Sequence, residues 1–139
     1  MNVNRAFIVA LIGIIAMMMG CTGSKYSDLV EVNTKFVSAM EDYIAATGKA
    51  TSAKDMAKAV NDYADKVEKL APQIKETRGK YPELMTSGEV PEELKAVEKK
   101  AQKLGEQVAA SYMNMMKYMM DPDVQKAHQR LSNAMLSMQ

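Results

Sequence analysis

The sequence predicts an all-α fold, with four amphipathic helices arranged as an up-down-up-down bundle. From about residue 27 onward, apolar residues recur at alternating steps of three and four, the mark of one buried helix face. Glycine and proline fall mostly at the ends of those stretches, and branched residues nowhere alternate with polar ones as a half-buried strand requires. The same periodicity also fits three long helices with a short docked C-terminal helix, or a coiled coil that buries its stripes only as an oligomer. No internal repeat suggests a solenoid.

The first helix is predicted from about Ser27 to Thr47, with Leu29, Val32, Phe36, Met40, Tyr43 and Thr47 on one face and Gly48 just past its end. Glu31 and Lys35 form an outward i,i+4 pair. The second begins at Ser52, whose hydroxyl and Asp55 three residues later form a capping-box-like start. Its stripe is Ala53, Met56, Val60, Tyr63, Val67, Leu70 and Ile74, with Asp62–Lys66 and Asp65–Lys69 expected as pairs on the far side. Pro72 should kink this helix or end its regular part, because it removes the bond to residue 68. Gly79 and Pro82 mark the stop.

"TSGEVPEEL" is the one long connection, and Pro91, Glu92 and Glu93 suit the start of a third helix, whose dipole favours negative charge there. Leu94, Val97, Ala101, Leu104, Val108, Tyr112, Met115 and Met119 make its stripe. At "DPD" the phase breaks and the apolar positions become Val124, Ala127, Leu131, Met135 and Met138. Asp121 as N-cap and Pro122 in the first turn start a fourth helix there, through a tight turn or a sharp kink.

Composition excludes several function classes. The chain has 18 Lys plus Arg against 17 Asp plus Glu, and so lacks the basic excess of a nucleic-acid binder. One histidine leaves little for a nucleophile-base pair, and no Gly-x-Ser-x-Gly elbow or phosphate loop is present. The carboxylates sit among lysines at solvent spacing, so nothing specifies an acid-base pair in a cleft. No enzymatic activity is expected. Tyr43, Tyr63 and Tyr112 fall on core stripes and are expected to bury their rings.

The first 21 residues, "MNVNRAFIVALIGIIAMMMGC", carry one basic residue, Arg5, then an uncharged run from Ala6 to Met19, then Gly20 and Cys21. This is the layout of a secretory signal, and the run is shorter than the roughly 20 residues of a transmembrane helix. Its end, "MMGC", resembles the lipobox of bacterial lipoproteins, with Met18 where leucine is usual and Met19 where a small residue is usual. The resemblance implies cleavage after residue 20 and covalent lipid on Cys21, the only cysteine. Several acyl chains would tether the protein durably where a single chain binds marginally. Thr22 stands where aspartate would, by the same resemblance, retain the protein at the inner membrane. The implied location is the cell envelope, at the outer membrane facing the periplasm. The expected organisation is a signal at 1–20, lipidated cysteine and tether at 21–26, and one helical domain at 27–139.

Near the C-terminus "SYMNMMKYMM" places five methionines in ten positions. Met115 and Met119 continue the core stripe. Met113, Met116 and Met120 lie on a neighbouring flank that is polar further back, at Glu106, Gln102, Glu98 and Lys95, so something apolar should cover only the end of that helix. The first expectation is the fourth helix folding back, with methionine filling an irregular corner. A protein partner or self-association through this Met-rich end is the second. A soft-metal site is the third: thioethers are neutral donors that select Cu(I), and Met116, Met120, Met113 and a back-folded His128 could hold one ion. His128 sits at the border of the fourth apolar stripe, where its ring should be half-buried and its nitrogen in water. Zinc would need further nitrogen or thiolate ligands, and a c-type haem would need a Cys-x-x-Cys-His segment that is absent.

Overall fold

The computed structural model describes residues 24–84 and 90–138; the leader, Cys21, Thr22 and Gly23 lie outside the described residues. The fold is an all-α bundle of four helices: α1 Ser27–Lys49, α2 Ala53–Lys80, α3 Glu92–Met116 and α4 Pro122–Leu136. Three of the starts follow the local chemistry expected of them. Ser52 Oγ accepts the Asp55 backbone N–H at 3.1 Å, while the Asp55 carboxylate reaches back to the Thr51 N–H at 3.3 Å. Asp121 Oδ1 accepts from the N–H groups of Asp123 and Val124, with Pro122 opening α4. Glu92 and Glu93 occupy the first turn of α3 directly after Pro91.

α2 runs unbroken through Pro72 to Lys80. Of the two outcomes expected at Pro72, a kink or an end to the regular helix, the end does not occur: Leu70, Ala71 and Thr77 are buried on either side of it, while Pro72 itself faces solvent, and the helix stops near Gly79 and Pro82 as expected. Past the helix end, Tyr81 donates its backbone N–H to the Arg78 carbonyl.

Cross-helix contacts fix the arrangement. Ser24 Oγ donates to Glu93 at 3.1 Å, Lys100 meets Glu41 at 2.8 Å, and the Asn114 amide meets the Thr47 carbonyl at 2.7 Å. The numbers rise together, so α3 lies beside α1 and runs the same way. Likewise Arg130 pairs with Asp65 and Glu68, and Arg78 donates to the Met138 carbonyl at 3.0 Å, so α4 lies beside α2 and runs the same way. The short link Ala50–Ser52 turns α1 back into α2. Extensive backbone contact joins α3 to α1, α1 to α2 and α2 to α4, and among the described residues no other helix pair has more than slight contact. The inner pair is therefore α1 and α2, and each outer helix rests chiefly on one of them.

This order explains which faces are buried. Tyr43 and Tyr63 stack with centroids 4.7 Å apart at the centre of a cluster that includes Met56, Val60, Val67, Met115 and Val124. α1 buries Val37 and Ala39 beside its predicted stripe, because it has neighbours on two sides. α2 adds Ala57, Ala64 and Ala71 for the same reason. Ala57, Ala127 and Ala134 share that buried cluster, small side chains that let α2 and α4 approach closely.

Two surface expectations need correction. Glu31–Lys35 forms at 2.6 Å, but Lys66 pairs with Asp42 on α1, Asp62 with Lys58, and Asp65 with Arg130 on α4, in place of Asp62–Lys66 and Asp65–Lys69. Neighbouring helices offer partners that a single-helix reading does not contain. Tyr112, assigned to the core stripe of α3, is exposed. Among the described residues no helix is long and apolar enough to cross a membrane.

Candidate functional site

The Met-rich segment forms one end of the bundle, where the end of α3 meets the start of α4 beside the α1–α2 turn. α3 ends at Met116, and the chain then tightens into successive i→i−3 bonds: Lys117 to Asn114, Tyr118 to Met115, Met119 to Met116 and Asp121 to Tyr118. Met120 therefore stands in the turn after α3 and not one regular helical turn beyond Met116. Gln125 Nε2 donates to the Met119 carbonyl at 3.1 Å and ties this turn to α4.

The five methionines divide into two groups. Met115 is core: it is buried, and the Tyr43 hydroxyl approaches its sulfur at 4.0 Å. Met119 is half-buried against the same cluster. The flanking three are open to solvent, with relative exposures of 72% for Met113, 51% for Met116 and 86% for Met120, and Tyr112 beside them is 48% exposed. The expectation that α4 folds back over this flank is not met. Beyond Asp121 and Pro122, α4 carries its alanines Ala127 and Ala134 onto α2, so its apolar face is spent there.

His128 also departs from expectation. Its Nε2 is buried and has no hydrogen-bond partner, instead of lying in water, and burial lowers the imidazole pKa below 6.5. The structure thus encloses the histidine nitrogen on α4 while it presents the three thioethers to solvent. Among the described residues no group of three or more His, Cys, Asp or Glu side chains is placed to hold a metal ion. Among the described residues Met113, Met116 and Met120 are the most exposed methionines.

Asn114 lies inside the methionine run and was missed by sequence reasoning. Its amide donates to the carbonyls of Thr47 and Ala50, at 2.7 and 3.2 Å, and so binds the last turn of α3 to the C-terminus of α1. The one signal was a lone amide among apolar neighbours. A second missed feature is at the opposite end. The Tyr81 hydroxyl oxygen lies 2.6 Å from the Asp28 carboxylate and 2.7 Å from the Lys25 carbonyl, so its one proton serves either acceptor; its ring meets Tyr26 edge-on at 5.1 Å, and Lys25 lies over Tyr26. The Tyr81 hydroxyl, then Lys80, hold the Asp28 carboxyl below its ordinary range. The chain entering α1 is thereby clamped onto the end of α2.

A groove of about 680 Å³ between α2 and α4 is lined by Ala57 and Ala127 together with Lys54, Asn61, Lys126 and Arg130. Arg130 is already engaged by Glu68 and Asp65. Compared with known proteins, the chain matches no family model, no curated protein and no solved structure.

Proposed function

We propose that this chain is a lipid-anchored lipoprotein of the bacterial cell envelope whose helical domain is a non-catalytic binding and interaction module, displayed on the periplasmic side of the outer membrane. The observation that carries it is the exposed cluster of Tyr112, Met113, Met116 and Met120 at the end of a well-packed bundle. Apolar side chains concentrated on one surface favour a contact, and methionine adapts to irregular partners. The leader ending at Cys21 supplies the anchoring half of the reading. Its test is mass spectrometry of the chain purified from a bacterial envelope. The expected product begins at Cys21 and carries diacylglycerol and an amide-linked acyl chain; an unmodified Cys21 in a soluble fraction would refute the anchor.

A second reading, a Cu(I) carrier, is favoured by the accessibility of all three thioethers, which bind soft ions without losing a proton. Titration of the domain with Cu(I) against a chromophoric chelator under reducing conditions tests it. Stoichiometric competition abolished by Met116→Leu with Met120→Leu would move this reading to first place. Leucine preserves volume, so the variant should keep its fold.

A further inference from the structure

We infer that Met113, Met116 and Met120 form a reversible oxidation site, a sink for peroxide or hypochlorous acid that fills with oxygen while the bundle stays folded. The inference depends neither on the anchor at Cys21 nor on a partner.

The fold sorts its methionines by what an added oxygen would meet. Met56 and Met115 are buried in the central cluster, and Met40, Met119, Met135 and Met138 are packed partly buried against it. At any of these a sulfoxide would put a polar group into an apolar contact, the change by which methionine oxidation disrupts cores. Met113, Met116 and Met120 are half or more exposed. An oxidant reaches them without any opening of the bundle, and the polar group it leaves stays hydrated.

The residues between them hold the backbone in place. Asn114 donates to the Thr47 and Ala50 carbonyls, the Tyr43 hydroxyl approaches the Met115 sulfur, and Tyr118 packs against the central cluster. These attachments interleave with the three exposed side chains along one short stretch of chain. The end of α3 and the turn after it therefore stay docked while their outer flank changes from apolar to polar.

The reaction is a two-electron oxygen transfer. The thioether lone pair attacks one oxygen of hydrogen peroxide and the O–O bond breaks; the departing hydroxide takes the proton of the transferred oxygen and leaves as water. Sulfur is oxidised by two electrons and the peroxide is reduced by two. With hypochlorous acid the same oxygen is transferred, and chloride and a proton leave. Return to the thioether takes two electrons from a dithiol, which becomes a disulfide as the oxygen leaves in water, through the two reductases that each accept one sulfoxide epimer. Exposure at the end of a helix admits those enzymes where a core position would exclude them. Each cycle removes one oxidant molecule per methionine.

The test treats the full chain with dilute hydrogen peroxide and follows each methionine by peptide mass mapping, with helicity read by circular dichroism. The expected result is oxidation at Met113, Met116 and Met120 about tenfold or more faster than at Met56 and Met115, with helicity unchanged after the three have reacted. Both reductases together, supplied with dithiothreitol, should then return the three positions to their original mass. Replacing all three by leucine, which keeps their volume, should remove the fast phase, whereas Met115→Leu should leave it whole. Sulfoxide at Met56 or Met115 as early as at the exposed three overturns the inference. So does a loss of helicity in step with the first three oxygens, or sulfoxides that the reductases leave in place. Oxidation of any one of the three at the Met115 rate overturns the assignment of that residue.

Discussion

The Asn114 side-chain amide lies 2.7 Å from the Thr47 carbonyl oxygen and joins the last turn of α3 to the C-terminal turn of α1. Helix C-termini leave carbonyls without intrahelical partners, and here a neighbouring helix supplies the donor. Asn114→Leu keeps much of the volume but leaves the Thr47 and Ala50 carbonyls without it. The expected cost is about 1–3 kcal/mol in urea unfolding. Faster amide exchange at residues 47–50 should accompany it, with exchange in the middle of α2 less affected. A loss spread uniformly over the bundle would show that Asn114 does not act locally.

The stacked pair Tyr43 and Tyr63 predicts an alkaline limit to stability. Burial and the neighbouring Tyr43 push the Tyr63 pKa up to about 12, and burial raises that of Tyr43. The unfolded chain loses these phenolic protons near pH 10, whereas the folded one retains them. The associated stability is therefore complete below about pH 10 and declines as pH rises toward about 12. The Tyr63 hydroxyl is buried without a partner. Tyr63→Phe should leave stability at neutral pH unchanged or slightly raised, and should reduce the alkaline decline. Absorbance titration of the phenolates, run with thermal unfolding, checks both. A marked loss at neutral pH would mean that the hydroxyl has a partner after all.

The stripes of α1 and α2 were legible because each depends on spacing within one helix: Val32, Tyr43, Met56, Val60, Tyr63 and Val67 are buried as the three-four pattern requires. The caps at Ser52 and Asp121 were legible for the same local reason. Tyr112 and Lys66 were misread because their surroundings are set by which helix lies beside which. Sequence spacing does not encode that α3 rests on α1 or that α4 turns its alanines toward α2. The methionine flank was recognised as unusual, but whether it was covered depended on the same undetermined neighbours.

His128 predicts an acidic limit. Its folded pKa is below 6.5 because burial opposes the charged ring, so under acid the unfolded chain binds a proton that the folded chain resists. Stability should fall as pH drops below about 6.5, until the folded imidazole itself titrates. His128→Leu removes a buried nitrogen without a partner and should abolish the part of the acid decline near pH 6. Urea midpoints from about pH 5 to 8, with the imidazole resonances followed by NMR, test this. An imidazole midpoint at or above about 6.5 would contradict the burial of Nε2.

Met113 and Met115 lie two residues apart and predict opposite outcomes. Met115 is buried against Tyr43, so Met115→Ala opens a cavity in the central cluster and should cost about 2–5 kcal/mol. Met113 is 72% exposed, and Met113→Ala should change the stability of the free domain by no more than about 0.5 kcal/mol. The spacing makes the comparison decisive, since both variants change the same helix at the same end and remove the same side chain. Chemical denaturation of the two proteins is sufficient. Comparable losses would mean that α3 turns its methionine flank inward in solution, and the surface assigned to a partner would then be part of the core.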